Sequence, residues 1–357
     1  MRKLLILCMT ILLLLPSLTA CGCSRSGDAD VHVFYYTYSD PYNSSVRSTL
    51  DKRLMDAGVS FQDNDGNNSQ TTQTAQVQTA ITTGAKLIVV NIVTRGSDDA
   101  ASGITSLAKD AGIPVIFFNR EVSNEVVDSY DKCIFIGTDA AEAGYLQGDM
   151  IGEYLTENFT TVDLIGDGEI SYVMFMGEKG NNEAIYRTRY SVENADAKLQ
   201  EAGLPPLAFY DSGNRDKYLL DRDGKWSAQA ANEYMTTLLT SYNTNAGNMV
   251  ELVICNNDGM AEGAITALSA AGYNTGENGD LTIPVFGVDA TDAAKELIRE
   301  GRMTGTVRQD AEGMAEAIRL AVSAGLEGED LLRDLGDYSV DPDVSKVRIH
   351  YSAYFGE

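Results

Sequence analysis

The clearest pattern in this chain is a series of short runs in which every residue is apolar, each followed by a polar residue or a turn. The runs lie within the segments KLIVVN, PVIFFN, CIFIG, ELVIC and IPVFGVD. A strand with one face in water alternates apolar and polar side chains, whereas a strand covered on both faces is apolar throughout. These runs therefore predict parallel strands that are buried on both faces.

Between the strands lie segments with the apolar spacing of helices, and most of them end in glycine. The helical spacing is carried by Ile104, Leu107, Ala108 and Ala111 in one segment and by Ala264, Ile265 and Leu268 in another. The glycine endings are MDAG, TTG, DAG, EAG, AAG and REG. Glycine ends helices because it adopts the left-handed cap conformation at little cost. Repeated strand–helix units predict an α/β protein with doubly wound sheets, and the length suits two lobes.

The N-terminus has the pattern of a secretory signal. Arg2 and Lys3 precede a 12-residue apolar run, LLILCMTILLLL, which is shorter than the roughly 20 residues that span a bilayer. The following LTAC resembles a bacterial lipobox, which implies removal of residues 1–20 and lipidation of Cys21. We therefore expect residues 21–30 to form a lipidated linker that anchors an extracytoplasmic protein to the bacterial cell membrane. The alternative is an ordinary signal peptide with a chance cysteine.

Charge and cysteine content narrow the functional classes. The formal net charge is −25, and removing residues 1–20, which hold two positive and no acidic residues, makes it −27. Such an acidic surface repels phosphate backbones, which argues against nucleic-acid binding. Cys133 and Cys255 lie in apolar runs 122 residues apart and are predicted to be buried, unpaired thiols.

The predicted strands end in polar and aromatic residues, which is where ligands bind in open α/β sheets. TYSDPY follows the first strand, and Asn119, Asn257 and Asp289 follow or end later strands. These exits lack a glycine-rich phosphate loop, a nucleophile elbow and a zinc cluster. Each polar exit can also be an ordinary turn or helix cap, as Asp258 illustrates. Together, amides, carboxylates and aromatic faces suit a neutral polyol such as a sugar.

Longer stretches carry a resemblance to a known family. VIFFNREV, VDSYDKCIFIGTDAAEAGYLQGDMI, LVICNNDGMAEGA and IPVFGVDA resemble the galactose/glucose-binding proteins of bacterial ABC importers, which are type I periplasmic binding proteins. The similarity covers nearly all of residues 31–352. It implies two Rossmann-like lobes joined by three hinge crossings, near Thr138, Asp310 and Val344, with the sugar between them. The first lobe would then comprise 31–138 plus 310–343, and the second 139–309 plus 344–357.

The same resemblance implies which residues bind the sugar. The family's positions are matched here by Tyr36, Asp40, Tyr42, Asn119, Asn181, Glu183, Arg187, Trp226, Asn257, Asp289 and Gln309. Tyr42 and Trp226 would stack on the sugar, and the planar fork of Arg187 would hold an oxygen. Trp226, the only tryptophan, has an alternative role as a core residue, although its DGKWSAQ surroundings are polar.

Three of these positions depart from the family. Asn181 stands where the family usually has His, Glu183 where it has Asp, and Gln309 where it has Asn. Glu183 and Gln309 each reach further by on the order of 1.5 Å, a shift that matters at hydrogen-bond distances. The polar character is kept, so a sugar remains the expected ligand. The preference for a glucose- or galactose-like aldohexose is weakened, and a different small polyol is an alternative.

The segment DLIGDGEIS, residues 163–171, resembles the calcium loop of that family with ligands missing. Asp163, Asp167, the carbonyl of Glu169 and the distant Glu251 match its ligands, but Ile165 stands where another oxygen is required. Calcium takes six to eight oxygen ligands. We expect a degenerate site with weak calcium binding at most; the alternative is an ordinary turn. No other cofactor is expected.

The resemblance implies a substrate-binding lipoprotein that delivers its sugar to an ABC permease powered by an ATPase. The two histidines, His32 and His350, have no catalytic partner in the sequence, so we do not expect an enzyme. The alternative output is sensing, in which the closed protein engages a membrane chemoreceptor instead of, or as well as, the permease.

Overall fold

The computed structural model describes residues 29–95 and 97–356 of the chain. They form two α/β lobes, each built on a seven-stranded sheet. The predicted signal peptide and Cys21 lie outside the described residues. Across the described ranges, each helix is too short or too polar to cross a membrane.

The first lobe contains the sheet with strand order β12-β13-β5-β4-β3-β1-β2, in which neighbours are parallel apart from β12 and β13. Its strands are β1 (Val31–Tyr35), β2 (Phe61–Asp65), β3 (Leu87–Val90), β4 (Val115–Phe118), β5 (Cys133–Gly137), β12 (Ser339–Val340) and β13 (Lys346–Arg348). Its helices are α1 (Pro41–Asp56), α2 (Gln70–Thr82), α3 (Asp99–Ala111), α4 (Asn124–Asp128) and α10 (Ala311–Glu327).

The second lobe repeats this plan with the order β14-β11-β10-β9-β6-β7, and β8 also pairs with β6. Its strands are β6 (Ser171–Met176), β7 (Ala208–Phe209), β8 (Leu219–Leu220), β9 (Leu252–Cys255), β10 (Val285–Asp289), β11 (Gly305–Arg308) and the antiparallel β14 (Ser352–Tyr354). Its helices are α5 (Ala140–Val162), α6 (Asn182–Glu201), α7 (Ala228–Leu239), α8 (Asp258–Ala270) and α9 (Asp292–Arg299), with a 3-10 turn at Thr244–Ala246.

Both sheets are covered on both faces, as the continuous apolar runs predicted. In β3, Leu87 and Val89 pack with α1 and α10, whereas Ile88 and Val90 pack on the other face with α2 and α3. All four side chains are fully buried. Full burial of an aliphatic side chain of this size contributes about 1.5–3 kcal/mol. The predicted doubly wound α/β class is confirmed, and Cys133 and Cys255 are buried free thiols.

The chain passes between the lobes three times. It crosses after β5 at Thr138, after β11 at residues 309–310, and after β13 at residues 349–351. The third crossing corrects the predicted boundary at Val344. Because β13 pairs with β5 in the first sheet and Val347 is buried in that lobe's core, only the residues after β13 belong to the second lobe.

The long helix α5 holds α6 in place through close backbone contact. Gly144, Gly148 and Gly152 recur along the face of α5 that meets α6. A Cβ at Gly148 would lie 2.6 Å from the Cβ of Asn194 and 2.8 Å from the carbonyl oxygen of Ser191. Glycine at this position therefore allows α6 to approach, and the start of α6 carries part of the candidate site.

Candidate functional site

The carboxyl ends of the strands in both sheets face one cavity of about 50 Å³ between the lobes. All eleven side chains that the family resemblance singled out line it: Tyr36, Asp40, Tyr42, Asn119, Asn181, Glu183, Arg187, Trp226, Asn257, Asp289 and Gln309. The strand order reverses between β1 and β3 and between β6 and β9. Such reversals place ligand sites in open α/β sheets, because the connections leave opposite faces there.

Arg187 is the central cation of the cavity. Its Nη1 donates to the carbonyl of Asn256 at 2.9 Å and lies 3.8 Å from Oδ1 of Asp289. Its Nη2 donates to the hydroxyl of Tyr351 at 2.9 Å and to Oε1 of Gln309 at 3.3 Å. These contacts fix the guanidinium plane, and its Nε has no hydrogen-bond partner among the described residues.

Asp289 faces Arg187 at the end of β10. Burial raises the pKa of its carboxyl well above the usual range, and the charge of Arg187 opposes that shift. Its φ of 125° is rarely adopted by residues other than glycine. Strained backbone of this kind costs on the order of 1–3 kcal/mol and is concentrated at binding and catalytic sites. The end of β10 therefore holds a buried hydrogen-bonding group, the carboxyl of Asp289, in a backbone conformation that the rest of the fold must stabilise.

Aromatic side chains form two walls of the cavity. Trp226, in the loop before α7, packs on Gly177, where a Cβ would lie 2.2 Å from the indole ring. Glycine is therefore required at residue 177 for the ring to occupy this position. Tyr42, in the first turn of α1, is buried, and its hydroxyl donates to the sulfur of Met314 at 3.6 Å. Trp226 is half-buried at the cavity, so its alternative role as a core residue does not hold.

Two further arginines, which the sequence reasoning missed, line the cavity from the first lobe. Arg95 pairs with Glu183 and donates to Oδ1 of Asn181 at 2.6 Å. Its burial lowers the pKa of the guanidinium to about 9. Arg120 stacks on the Tyr36 ring at 3.6 Å from the centroid. Both arginines lie just beyond the ends of strands, in the segments NIVTR and VIFFNR. Because ligands bind beyond the carboxyl ends of the strands in such sheets, this position could have identified both as site residues.

Glu178, just after β6, joins several parts of the site without lining the cavity. Its Oε2 accepts from Nη2 of Arg120 at 3.1 Å, from Nδ2 of Asn181 at 2.7 Å and from Nε1 of Trp226 at 3.3 Å. Arg120 belongs to the first lobe and the other two donors to the second. Glu178 therefore orients the indole ring of Trp226 and forms an ion pair with Arg120 across the two lobes.

Each of the three positions that depart from the family contacts the opposite lobe. Asn181 and Glu183 both contact Arg95, and Nε2 of Gln309 donates to Oδ1 of Asn119 at 3.0 Å. The longer side chains of Glu183 and Gln309 therefore make contacts with residues of the other lobe.

Asp258 is fully buried outside the cavity and accepts hydrogen bonds from Thr291 and Thr306, while Asn257 caps α8.

In the loop that resembles a calcium site, backbone N–H groups donate hydrogen bonds to the carboxylates of Asp163 and Glu251. Asp163 accepts the backbone N–H groups of Gly166, Asp167 and Gly168 at 2.7–3.2 Å. Glu251 is fully buried and accepts those of Leu164, Ile165 and Ser171 at 2.7–3.1 Å. The hydroxyl of Ser171 donates to the carbonyl of Met249 at 2.7 Å.

This donor set falls short of the six to eight oxygens that calcium takes. Ile165 supplies no oxygen, and the carboxylates of Asp163 and Glu251 are engaged by N–H donors. Over residues 29–95 and 97–356, no group of three or more histidine, cysteine or acidic side chains converges on a metal position. The loop is held by the buried carboxylate of Glu251, which lies directly before β9 and accepts hydrogen bonds from the loop backbone.

Comparison with known proteins places this geometry in a family. The periplasmic binding protein domain matches residues 31–330. The D-galactose/methyl-galactoside binding periplasmic protein MglB of Haemophilus influenzae is 33% identical over 303 residues, covering 85% of this chain and 83% of that protein.

Solved structures agree with this assignment. A solute-binding protein of an ABC transporter from Bacillus halodurans, with bound myo-inositol, is 27% identical with a TM-score of 0.66, covering 92% of this chain and 95% of that one. One from Clostridium phytofermentans, with bound β-D-glucose, shares the fold at 23% identity and a TM-score of 0.69, covering 91% and 93%. The chain therefore belongs to the periplasmic binding protein family and has the type I fold of that family.

Proposed function

We propose that this protein captures a monosaccharide, of glucose- or galactose-like aldohexose type, between its lobes and delivers it to the permease of an ABC importer. The observation that carries the proposal is the balance of charge in the cavity. Each of the three arginines, 95, 120 and 187, lies beside a carboxyl group, of Glu183, Glu178 and Asp289 respectively. Because the arginines already have acidic partners, the cavity favours a neutral ligand over an anion, and its carboxyl, amide and guanidinium groups are suited to hydroxyls.

Transport by such a protein requires opening and closing of the cleft rather than chemistry. Arg95 and Arg120 on the first lobe pair with Glu183 and Glu178 on the second. These pairs exist only when the lobes are together, so they add to the contacts that the ligand makes with both lobes. Ligand binding then shifts the population towards the closed form, which the permease recognises.

The test is a binding panel read by calorimetry and by the fluorescence of Trp226, the only tryptophan. Glucose, galactose, xylose, ribose and arabinose are titrated into the mature protein. We expect saturable binding of at least one aldose, with a change in Trp226 emission. If no monosaccharide or inositol binds or raises the melting temperature, the proposal is wrong.

A cyclic polyol other than an aldohexose is the second candidate. The departures at Asn181, Glu183 and Gln309 change the reach of the lining, and a structural relative holds myo-inositol. Inositols therefore belong in the same panel. Tight binding of an inositol with no response to aldohexoses would replace the aldohexose in the proposal while keeping the site.

The lipid anchor at Cys21 is part of the proposal, because the lipobox resemblance supports it. The protein should then fractionate with membranes when expressed in a bacterium and incorporate a labelled fatty acid. Cys21→Ala should abolish the labelling. A wild-type protein that is unlabelled and released in soluble form would contradict the anchor without affecting the binding proposal.

A further inference from the structure

The three crossings between the lobes each bring one buried side chain towards the same arginine. Thr138 lies in the first crossing, Gln309 in the second and Tyr351 in the third. All three side chains are buried. Gln309 and Tyr351 accept hydrogen bonds from Nη2 of Arg187, at 3.3 and 2.9 Å. Thr138 is linked to Arg187 through Tyr351, because the two hydroxyl oxygens lie 2.9 Å apart. The crossings and the site therefore meet at one guanidinium group.

These contacts use one end of that guanidinium completely. Nη2 carries two N–H groups, and the crossings supply an acceptor for each, the amide oxygen of Gln309 and the hydroxyl of Tyr351. A ligand in the site is left with the other two nitrogens, Nη1 and Nε. Because the guanidinium is a rigid plane, holding Nη2 fixes the directions in which Nη1 and Nε donate.

Tyr351 acts on the site from outside it. Arg187 and Gln309 line the site cavity, whereas Tyr351 and Thr138 do not. The ring of Tyr351 packs in a core cluster of the second lobe, and Thr138 directly follows β5 of the first sheet. A tyrosine hydroxyl can accept from a guanidinium and donate to a threonine at the same time. Tyr351 therefore links the first crossing to the arginine of the site without contacting a ligand.

We propose that Tyr351 is a positioning residue that couples the crossings to binding, because its hydroxyl, held by Thr138, keeps Arg187 in the orientation that the sugar requires. This inference rests on the proposed binding of a sugar in the site. The residues that join two lobes absorb the change in backbone angles when the lobes open. Opening therefore disturbs the contacts of Tyr351 with Thr138 and of Gln309 with Arg187. Closure encloses the sugar and orients the guanidinium in the same step.

Tyr351→Phe tests the hydroxyl, because it keeps the ring. The probe is whichever of glucose, galactose, xylose, ribose, arabinose or myo-inositol binds the wild-type protein most tightly. We expect its Kd in calorimetry to rise at least about fivefold, because a hydrogen bond to a charged group is lost. Stopped-flow fluorescence of Trp226 should show the change as faster dissociation. An unchanged Kd overturns the proposal.

Tyr172→Phe is the matched control for this substitution. Tyr172 is buried in the same core cluster as Tyr351. It lies near the start of β6, at the end of the strand away from the site, and does not line the cavity. Its Kd should stay within about twofold of wild type. An equal loss of affinity in both variants would show that the core cluster, and not the hydroxyl of Tyr351, determines binding, and would overturn the proposal.

Thr138 separates coupling from a merely structural contact. Thr138→Ala should raise the Kd about threefold through Tyr351, and Thr138→Ser, which keeps the hydroxyl, should bind like wild type. In the Tyr351→Phe background, Thr138→Ala should have no further effect on binding, because residues that act through one network are not additive. Effects that multiply in the double variant, or a serine variant as weak as the alanine variant, contradict the coupling.

The two levels of failure are distinguishable. If neither a monosaccharide nor myo-inositol binds the wild-type protein, the proposed function fails and this inference fails with it. If the wild type binds and Tyr351→Phe lowers only the melting temperature, the hydroxyl is structural and the inference alone is wrong. Thermal melting of the ligand-free variants establishes which are folded. If Tyr351→Phe does not fold, the comparison of Thr138→Ala with Thr138→Ser decides.

Discussion

Replacing Glu178 by glutamine should weaken ligand binding, although this side chain does not line the site cavity. Its Oε2 accepts from Arg120 of the first lobe and from Asn181 and Trp226 of the second. Glutamine keeps the size of the side chain but removes its charge, so the contacts with Asn181 and Trp226 become neutral hydrogen bonds and the Arg120 guanidinium loses its counter-charge. We therefore describe Glu178 as a positioning residue.

The magnitude follows from the burial of the pair with Arg120. The two side chains are only 6% and 22% exposed in the closed form, and opening the lobes returns both to water. A hydrogen bond to a charged group contributes about 1.5–3 kcal/mol, and removing one of the two charges of this pair takes away part of that contribution. The loss of about 1–2 kcal/mol falls on the closed, liganded state. It corresponds to a Kd weaker by roughly 5- to 30-fold, since 1.4 kcal/mol is tenfold.

Calorimetry and stopped-flow fluorescence of Trp226 measure this effect. The higher Kd should appear as faster ligand dissociation, with a shifted emission maximum because the indole N–H loses a charged acceptor. Glu193→Gln is the matched control, since Glu193 makes an exposed pair with Arg189. Exposed pairs contribute little, so that variant should bind like wild type. An unchanged Kd and emission in Glu178→Gln would refute the positioning role.

Four shorter predictions test other parts of the structure. Asp289→Ala should raise the Kd by roughly tenfold or more, because it leaves ligand hydroxyls unpaired in a closed site; an unchanged Kd would show that the residue does not bind the ligand. Gly148→Ala should cost about 1–3 kcal/mol by overpacking and lower the melting temperature. Gly103→Ala, where a Cβ meets no atom within 4 Å, should not, and equal effects would contradict the packing argument. Burial raises the pKa of Asp63 to about 8, against about 3.9 in an unfolded chain. The folded form then keeps a proton that the unfolded form loses, so stability should fall as pH rises between those values. Asp63→Asn should remove that part of the slope, and parallel stability curves for the two proteins would refute it. Chelator-treated protein should bind added calcium weakly at most, and Ile165→Asn should strengthen binding; a micromolar or tighter constant in wild type would overturn this expectation.

Much of the fold could be predicted because buried parallel strands leave a direct trace in the sequence. β3, β4, β5, β9 and β10 all lie within the apolar runs. β2 left no such trace, because it is an edge strand whose five residues, FQDND, are all partly exposed. The two-residue strands β7 and β8 are too short to show any periodicity.

The third crossing was misplaced for a different reason. The residues from Lys346 to Tyr354 contain two short strands that belong to different sheets, with three residues between them. Alternation of apolar residues indicates a strand but does not indicate which sheet it joins. Only the pairing of β13 with β5, and of β14 with β11, decides the boundary.

The contacts between the lobes explain why the site could be predicted only in part from the sequence. Arg95 and Glu183 are 88 positions apart and belong to different sheets, so no local pattern links them. Taken singly, Glu183 and Gln309 are longer than the family's residues and indicate a pocket less suited to glucose or galactose. In the structure each reaches a partner on the first lobe, Arg95 or Asn119. The extra length therefore contributes to closing the cleft. It follows that ligand preference depends on these pairs together, so that exchanging one member alone would disturb closure before it changed the choice of sugar.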